Sequence, residues 1–132
     1  MRAHRNDEGE IEMNKHVDAL REVCNRSEGA PFLIRTRVER HLFGLLNATM
    51  RERLRLIPVS INRASVESQI GPAACRDRWG RAFALEIAHV FEKFTYLCDT
   101  SNWSNDGQDP RIESCREDIL RLCDRFESQV PI

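Results

Sequence analysis

One segment limits what this chain can fold into. From Asp77 to Cys98 it reads DRWGRAFALEIAHVFEKFTYLC, with Trp79, Phe83, Ala84, Ile87, Ala88, Phe91, Phe94, Leu97 and Cys98 recurring at three- and four-residue steps. That period is helical. Glu86, His89, Glu92 and Lys93 are its few polar interruptions. A helix apolar around most of its circumference must be covered on several sides. The segment therefore predicts a bundle in which 77–98 is the central helix.

The covering helices are legible on either side. Ile11, Met13, Val17, Leu20, Val23 and Cys24 give one apolar face to a first helix that begins after Gly9 and stops at Gly29. Pro31 suits the first turn of a second helix. Its apolar positions Leu33, Val38, Leu42, Phe43, Leu45, Leu46, Met50 and Leu54 run on until Leu56-Ile57-Pro58 ends it. A weak third helix is expected over about 64–75, kinked or ended by Gly71-Pro72. Residues 99–109 are rich in turn formers. Asp109 caps a last helix opened by Pro110, with Ile112, Cys115, Ile119, Leu122, Cys123 and Phe126 on its inner face. No segment alternates long enough for a strand, and there are no internal repeats. The expected class is all-α.

The 132 residues make one domain, with residues 1–8 expected to be disordered. Apolar residues at 41% and charged residues at 31% fit a folded chain rather than a disordered one. Twenty basic side chains against twenty-one acidic ones argue against a general polyanion binder. The charge is unevenly spread. Six Arg and two Glu make 31–55 basic by four, and seven acids with four Arg make 106–127 acidic by three. These two helices are expected to attract each other, within the fold or between molecules. No apolar run approaches the roughly 20 residues of a membrane span. The first ten residues lack the apolar segment of a signal peptide, and the last six carry no hydrophobic anchor. A cytoplasmic protein is expected.

Five cysteines, an odd number without a secretory signal, fit a reducing compartment. They fall in helix-like stretches, where free Cys behaves as a small core residue. An intermolecular disulfide or a redox switch is the alternative. No zinc spacing occurs, so no metal and no cofactor are expected. There is no Gly-rich phosphate loop, nucleophile elbow or HExxH motif. His4, His16, His41 and His89 are not paired at ligand spacing. His89 lies beside Glu86 and Glu92 but reads as a structural residue on the polar edge of a core helix. The expectation is a binding protein, not an enzyme.

The central segment opens Arg78-Trp79-Gly80-Arg81 and continues apolar. This resembles the first homology motif of the Bcl-2 family, Asn-Trp-Gly-Arg. Leu56-Ile57-Pro58 stands upstream at the spacing of the family's Leu-Thr-Pro. Residues 9–20 are similar to the amphipathic first helix, and Asp109-Pro110-Arg111-Ile112, running to Arg125, is similar to the sixth. The resemblance spans about residues 9–128. It implies a Bcl-2-like helical bundle around a hydrophobic central helix. It also implies a surface groove that sequesters BH3 helices of death-promoting relatives of Bim, Bak or Bax type. Arg81 would pair with a ligand aspartate through its planar guanidinium. Gly80 would let the ligand backbone approach. Phe43, Leu46 and Met50 would form the groove wall, with Ile70, Phe83 and Ala84 as further candidates. Trp79 would pack beneath the groove as a structural residue.

The departures bear on the role. Arg78 replaces the motif asparagine, and Pro72-Ala73-Ala74 replaces bulky groove residues. The chain ends where the second homology motif would begin. Its own third motif is eroded around Leu42-Phe43-Gly44-Leu45-Leu46-Asn47, with Asn for Asp and Leu for Gly. That erosion implies a pro-survival inhibitor of apoptosis, and the compact size resembles viral homologues acting in the host cytoplasm or at the mitochondrial outer membrane. A homodimer through the uncovered groove is a further expectation. The alternatives are a pro-apoptotic pore former, disfavoured by Arg78, Arg81, Glu86 and Lys93 in the central helix, and an unrelated small helical adapter.

Overall fold

The computed structural model describes residues 8–26, 31–50, 55–57, 60–70, 78–100 and 110–128. These form α1 (Glu8–Arg26), α2 (Pro31–Ala48), α3 (Arg63–Gln69), α4 (Arg78–Thr100) and α5 (Pro110–Ser128). There is no strand among the described residues, in line with the all-α expectation.

The apolar period of α4 becomes one broad buried face, while Arg81, His89, Glu92, Lys93, Tyr96 and Asp99 leave the opposite side exposed, so the helix is not covered all round as the sequence suggested. Phe83, Ala84, Ile87, Ala88 and Phe91 are fully buried, and Phe94, Leu97 and Cys98 nearly so. Around it, α2, α3 and α5 each pack directly on α4. The four long helices close a ring in which α1 packs on α2 and α5, and both of those pack on α4. Their side-chain bridges set the directions. Thr100 accepts from Arg111 at 3.2 Å, Asp118 accepts from Lys93 at 2.7 Å, and Arg125 lies 3.1 Å from Glu86. That sequence of partners runs α5 antiparallel to α4. Arg35 near the start of α2 reaches Asp99 near the end of α4 at 2.9 Å. On α1, Arg21 pairs with both Asp124 and Glu127 of α5 at 2.8 and 2.9 Å. Phe83 and Phe126 meet in the interior with ring centroids 6.0 Å apart.

Three other sequence expectations change. The second helix was expected to run past Leu54, but α2 ends at Ala48. Thr49 closes it. Its N–H donates to the carbonyls of Leu45 and Leu46, and its hydroxyl donates to Leu46 at 2.7 Å. A buried hydroxyl that takes a last-turn carbonyl is one way to satisfy a helix end. Residues 51–54, 58 and 59 lie outside the described residues, so Leu54 and Pro58 are not placed. The third helix is short and ends at Gln69, with Ile70 already extended, and 71–77 lie outside the described residues. The same holds for Gly29, Cys75 and Asp109. The expected mutual attraction of the basic and acidic helices within the fold is not what the packing uses. Here α2 and α5 share no packing face of any extent among the described residues. The charges of α2 are met by Asp99 of α4, and those of α5 by Arg21 of α1 and Lys93 of α4.

α3 is held by chemistry the sequence reading missed. Asn62 accepts from the Ser65 N–H at 2.8 Å, and the Ser65 hydroxyl accepts from the Asn62 N–H at 3.0 Å. This reciprocal capping box starts a helix of only seven residues. Gln69 then accepts from the Arg55 N–H at 3.0 Å and ties the incoming chain to the end of the helix.

Two stability measurements follow from this packing. Phe91→Ala empties the middle of α4 and should cost about 3–5 kcal/mol, read as a lower urea midpoint. Asn62→Ala should cost about 1 kcal/mol and speed amide exchange at Ser65 and Val66 while leaving α5 protected.

Candidate functional site

The face of interest is built on α4. Both α2 and α3 rest on α4 but share almost no packing with each other. They stand as two walls on one floor. α3 adds a backbone contact to that floor, with Arg63 N–H reaching Glu92 at 3.4 Å.

Eight residues were expected to line a groove here. Gly80, Leu46, Met50, Ile70, Phe83 and Ala84 are buried, with Leu46, Phe83 and Ala84 at 0% exposure. Phe43 is half-buried and packs on the outside of the core. Arg81 is exposed and makes no ion pair with a described residue. These apolar residues are thus part of the common core beneath α2 and α3, while Phe43 is only half-buried and Arg81 is exposed. Closure is the physical default for unliganded apolar walls, because each side chain kept from water contributes about 1.5–3 kcal/mol. The side chain of Trp79 lies outside the described residues.

The hypothetical acid–base group on α4 is not assembled. His89 is exposed, Glu86 lies against Arg125, and Glu92 faces the start of α3. One oxygen of Glu86 is buried without an aligned hydrogen bond, although the Arg125 guanidinium is 3.1 Å away. That contact is electrostatic. Among the described residues no three ligands gather to hold a metal ion. No described helix is long and apolar enough to cross a membrane. A cleft of about 180 Å³ between α4 and α5 is lined by Lys93, Tyr96, Leu97, Arg111, Ser114 and Cys115, but Lys93 is already bound to Asp118.

The histidines need a correction. The sequence showed no pairing, yet His16 of α1 and His41 of α2 meet with Nδ1 atoms 3.2 Å apart. Both are half-buried. Burial holds each ring below its ordinary pKa, and His41 is driven to about 4, with His16, Arg40, Arg37 and Lys15 adding to the effect. Gly44, one turn beyond His41, makes room, since a Cβ there would overlap the His16 ring. The signal was present in the sequence. Successive helices that pack on each other pair residues equidistant from the stretch between them, and His16 and His41 are equally far in sequence from 27–30.

Cys24, Cys98, Cys115 and Cys123 are free and buried. Burial raises their thiols to about 11 for Cys24 and about 12 for the other three. They are protonated core residues, and the Cys123 thiol points to the Val17 carbonyl at 3.8 Å. No family model, curated protein or solved structure matches this chain.

The thiols carry a simple expectation. A Cys75→Ser variant should stay unreactive toward a disulfide reagent at pH 8 until denaturant is added, because the thiolate is the reacting form.

Proposed function

We propose that the chain is a helix-binding protein of Bcl-2 type, a pro-survival inhibitor of apoptosis that captures BH3-like amphipathic helices between α2 and α3, over α4. The reading rests on one juxtaposition. The Trp-Gly-Arg motif opens the central helix, its Gly80 is buried, and its Arg81 is exposed on the helix that α2 and α3 both pack against.

In the proposed complex α2 and α3 part over α4. Apolar residues of the ligand, at three- and four-residue spacing, take over contacts that Leu46, Met50 and Ile70 now make with the core. Phe43 is already only partly buried against the core. Arg81 holds the ligand aspartate, and its fixed fork suits a carboxylate better than the point charge of a lysine. Opening costs buried area, so affinity depends on how fully the ligand replaces it. The same opening would expose the surface for a homodimer. Binding requires no catalytic group, cofactor or metal. The viral origin and the site of action, in the cytoplasm or at the mitochondrial outer membrane, are parts of the proposal carried only by the resemblance.

Fluorescence polarisation with labelled BH3 peptides of Bim, Bak and Bax type tests the reading. Saturable binding by at least one is expected. Arg81→Ala should weaken it by about 1.5–3 kcal/mol, roughly tenfold to a hundredfold, with the helical circular dichroism unchanged. Failure of every peptide to bind the folded protein would overturn the proposal.

A further inference from the structure

We propose that the His16–His41 contact is a proton-sensitive latch, which tightens α1 on α2 at neutral pH and loosens it in acid.

The geometry is that of one N–H···N bond. The ring centroids are 5.5 Å apart and the two Nδ1 atoms 3.2 Å apart, a difference of two ring radii, so the nitrogens point at each other. One ring must donate and the other accept. The donor carries its hydrogen on Nδ1, leaving Nε2 bare. The acceptor carries its hydrogen on Nε2, leaving the bonded Nδ1 as its only basic atom. Two successive protons therefore act differently. The first enters at Nε2 of the donor ring and leaves the bond standing. The second can enter only at the acceptor's Nδ1, where it sets two N–H groups face to face.

The surroundings assign the roles. The charges acting on the pair are Glu12 and Lys15 of α1 and Arg37 and Arg40 of α2. None comes from α4 or α5, the other helices packed on these two. Charge on His16 is favoured by Glu12 and opposed by Lys15 and Arg40, whereas on His41 only opposing charges act, from Arg40, Arg37 and Lys15. His16 is thus the donor and takes the first proton, and His41 is the acceptor. A doubly charged pair then has one carboxylate against three cations on a half-buried interface. Both rings sit below the ordinary 6.5, so their contribution to stability is whole above that pH. It fades as pH falls toward about 4, where His41 charges.

The latch is local because α1 packs on α2 and α5 but shares no extensive face with α4. Loosening of α1 on α2 leaves α4 covered by α2, α3 and α5. The pair also has a handle that alters no titrating group. Gly44→Ala would expel the His16 ring from its place beside His41.

Ring titrations by NMR, paired with amide hydrogen exchange on the intact chain, test the proposal. In the unmodified protein both rings should titrate below 6.5, His41 last. As His41 charges, α1 amides should exchange on the order of tenfold faster than pH alone predicts, the size of one hydrogen bond's net contribution. Amides of α4 and α5 should keep their protection. In Gly44→Ala, His41 should return toward 6.5 and the acid step in α1 should vanish. His16→Asn keeps a donor without proton uptake and should leave His41 titrating alone. The proposal falls if either ring of the unmodified protein titrates at or above 6.5. It also falls if α1, α4 and α5 lose protection together, or if the step survives unchanged in Gly44→Ala. The ring titration needs no variant, so a poorly folding substitution does not shield the latch from refutation.

Discussion

The bundle depends on keeping the apolar girth of α4 out of water. Phe83, Ala84, Ile87, Ala88 and Phe91 are fully buried on one helix, and at 3.6 residues per turn they span a broad arc of its circumference. A single partner helix would leave part of that surface wet. Three partners do not, and α2, α3 and α5 are those partners. The remaining elements follow from this demand. α1 packs on α2 and α5 and buries Val17 and Leu20 between them. α3 is too short to persist by itself and is held by its capping box and by α4.

Polar contacts then choose among the ways of covering α4. Most of the ion pairs lie at exposed or half-buried sites, where each contributes about 0–1 kcal/mol. Their value is in alignment. Lys93 with Asp118 and Arg111 with Thr100 fix how far α5 slides along α4. Arg21 with Asp124 and Glu127 does the same for α1 on α5. The α1–α2 face has a different device, a hydrogen bond between two neutral imidazoles. Being partly desolvated and ringed by cations, it is the contact most sensitive to a change of charge.

The closed state of the wall residues and the proposed helix capture are compatible in energetic terms. Leu46, Phe83 and Ala84 have no exposed surface, so a ligand cannot meet them without displacing a neighbour. Weak packing between α2 and α3 marks where displacement is least costly. Arg81 is exposed and Phe43 only half-buried before anything binds. An encounter can therefore begin at exposed groups and proceed inward.

The order and type of the helices were legible from the sequence because local apolar period and Pro placement determine them. The start of α5 at Pro110, the start of α2 at Pro31 and the span of the central helix all follow from that pattern. The end of α2 was not legible, since Thr49 stops it by bonding carbonyls in its own last turn rather than by a breaking residue. The candidate site was legible as a motif but not as a shape. Whether Met50 and Ile70 line an open groove or join the core depends on what packs against them, which apolar period does not encode. The sequence by itself determined an all-α chain with one helix that must be covered. Only the tertiary structure decided which helices cover it, that Leu46, Met50 and Ile70 join the core, and that His16 meets His41. Those outcomes arise from contacts between residues distant in the chain, where side-chain shape, available space and charge act together.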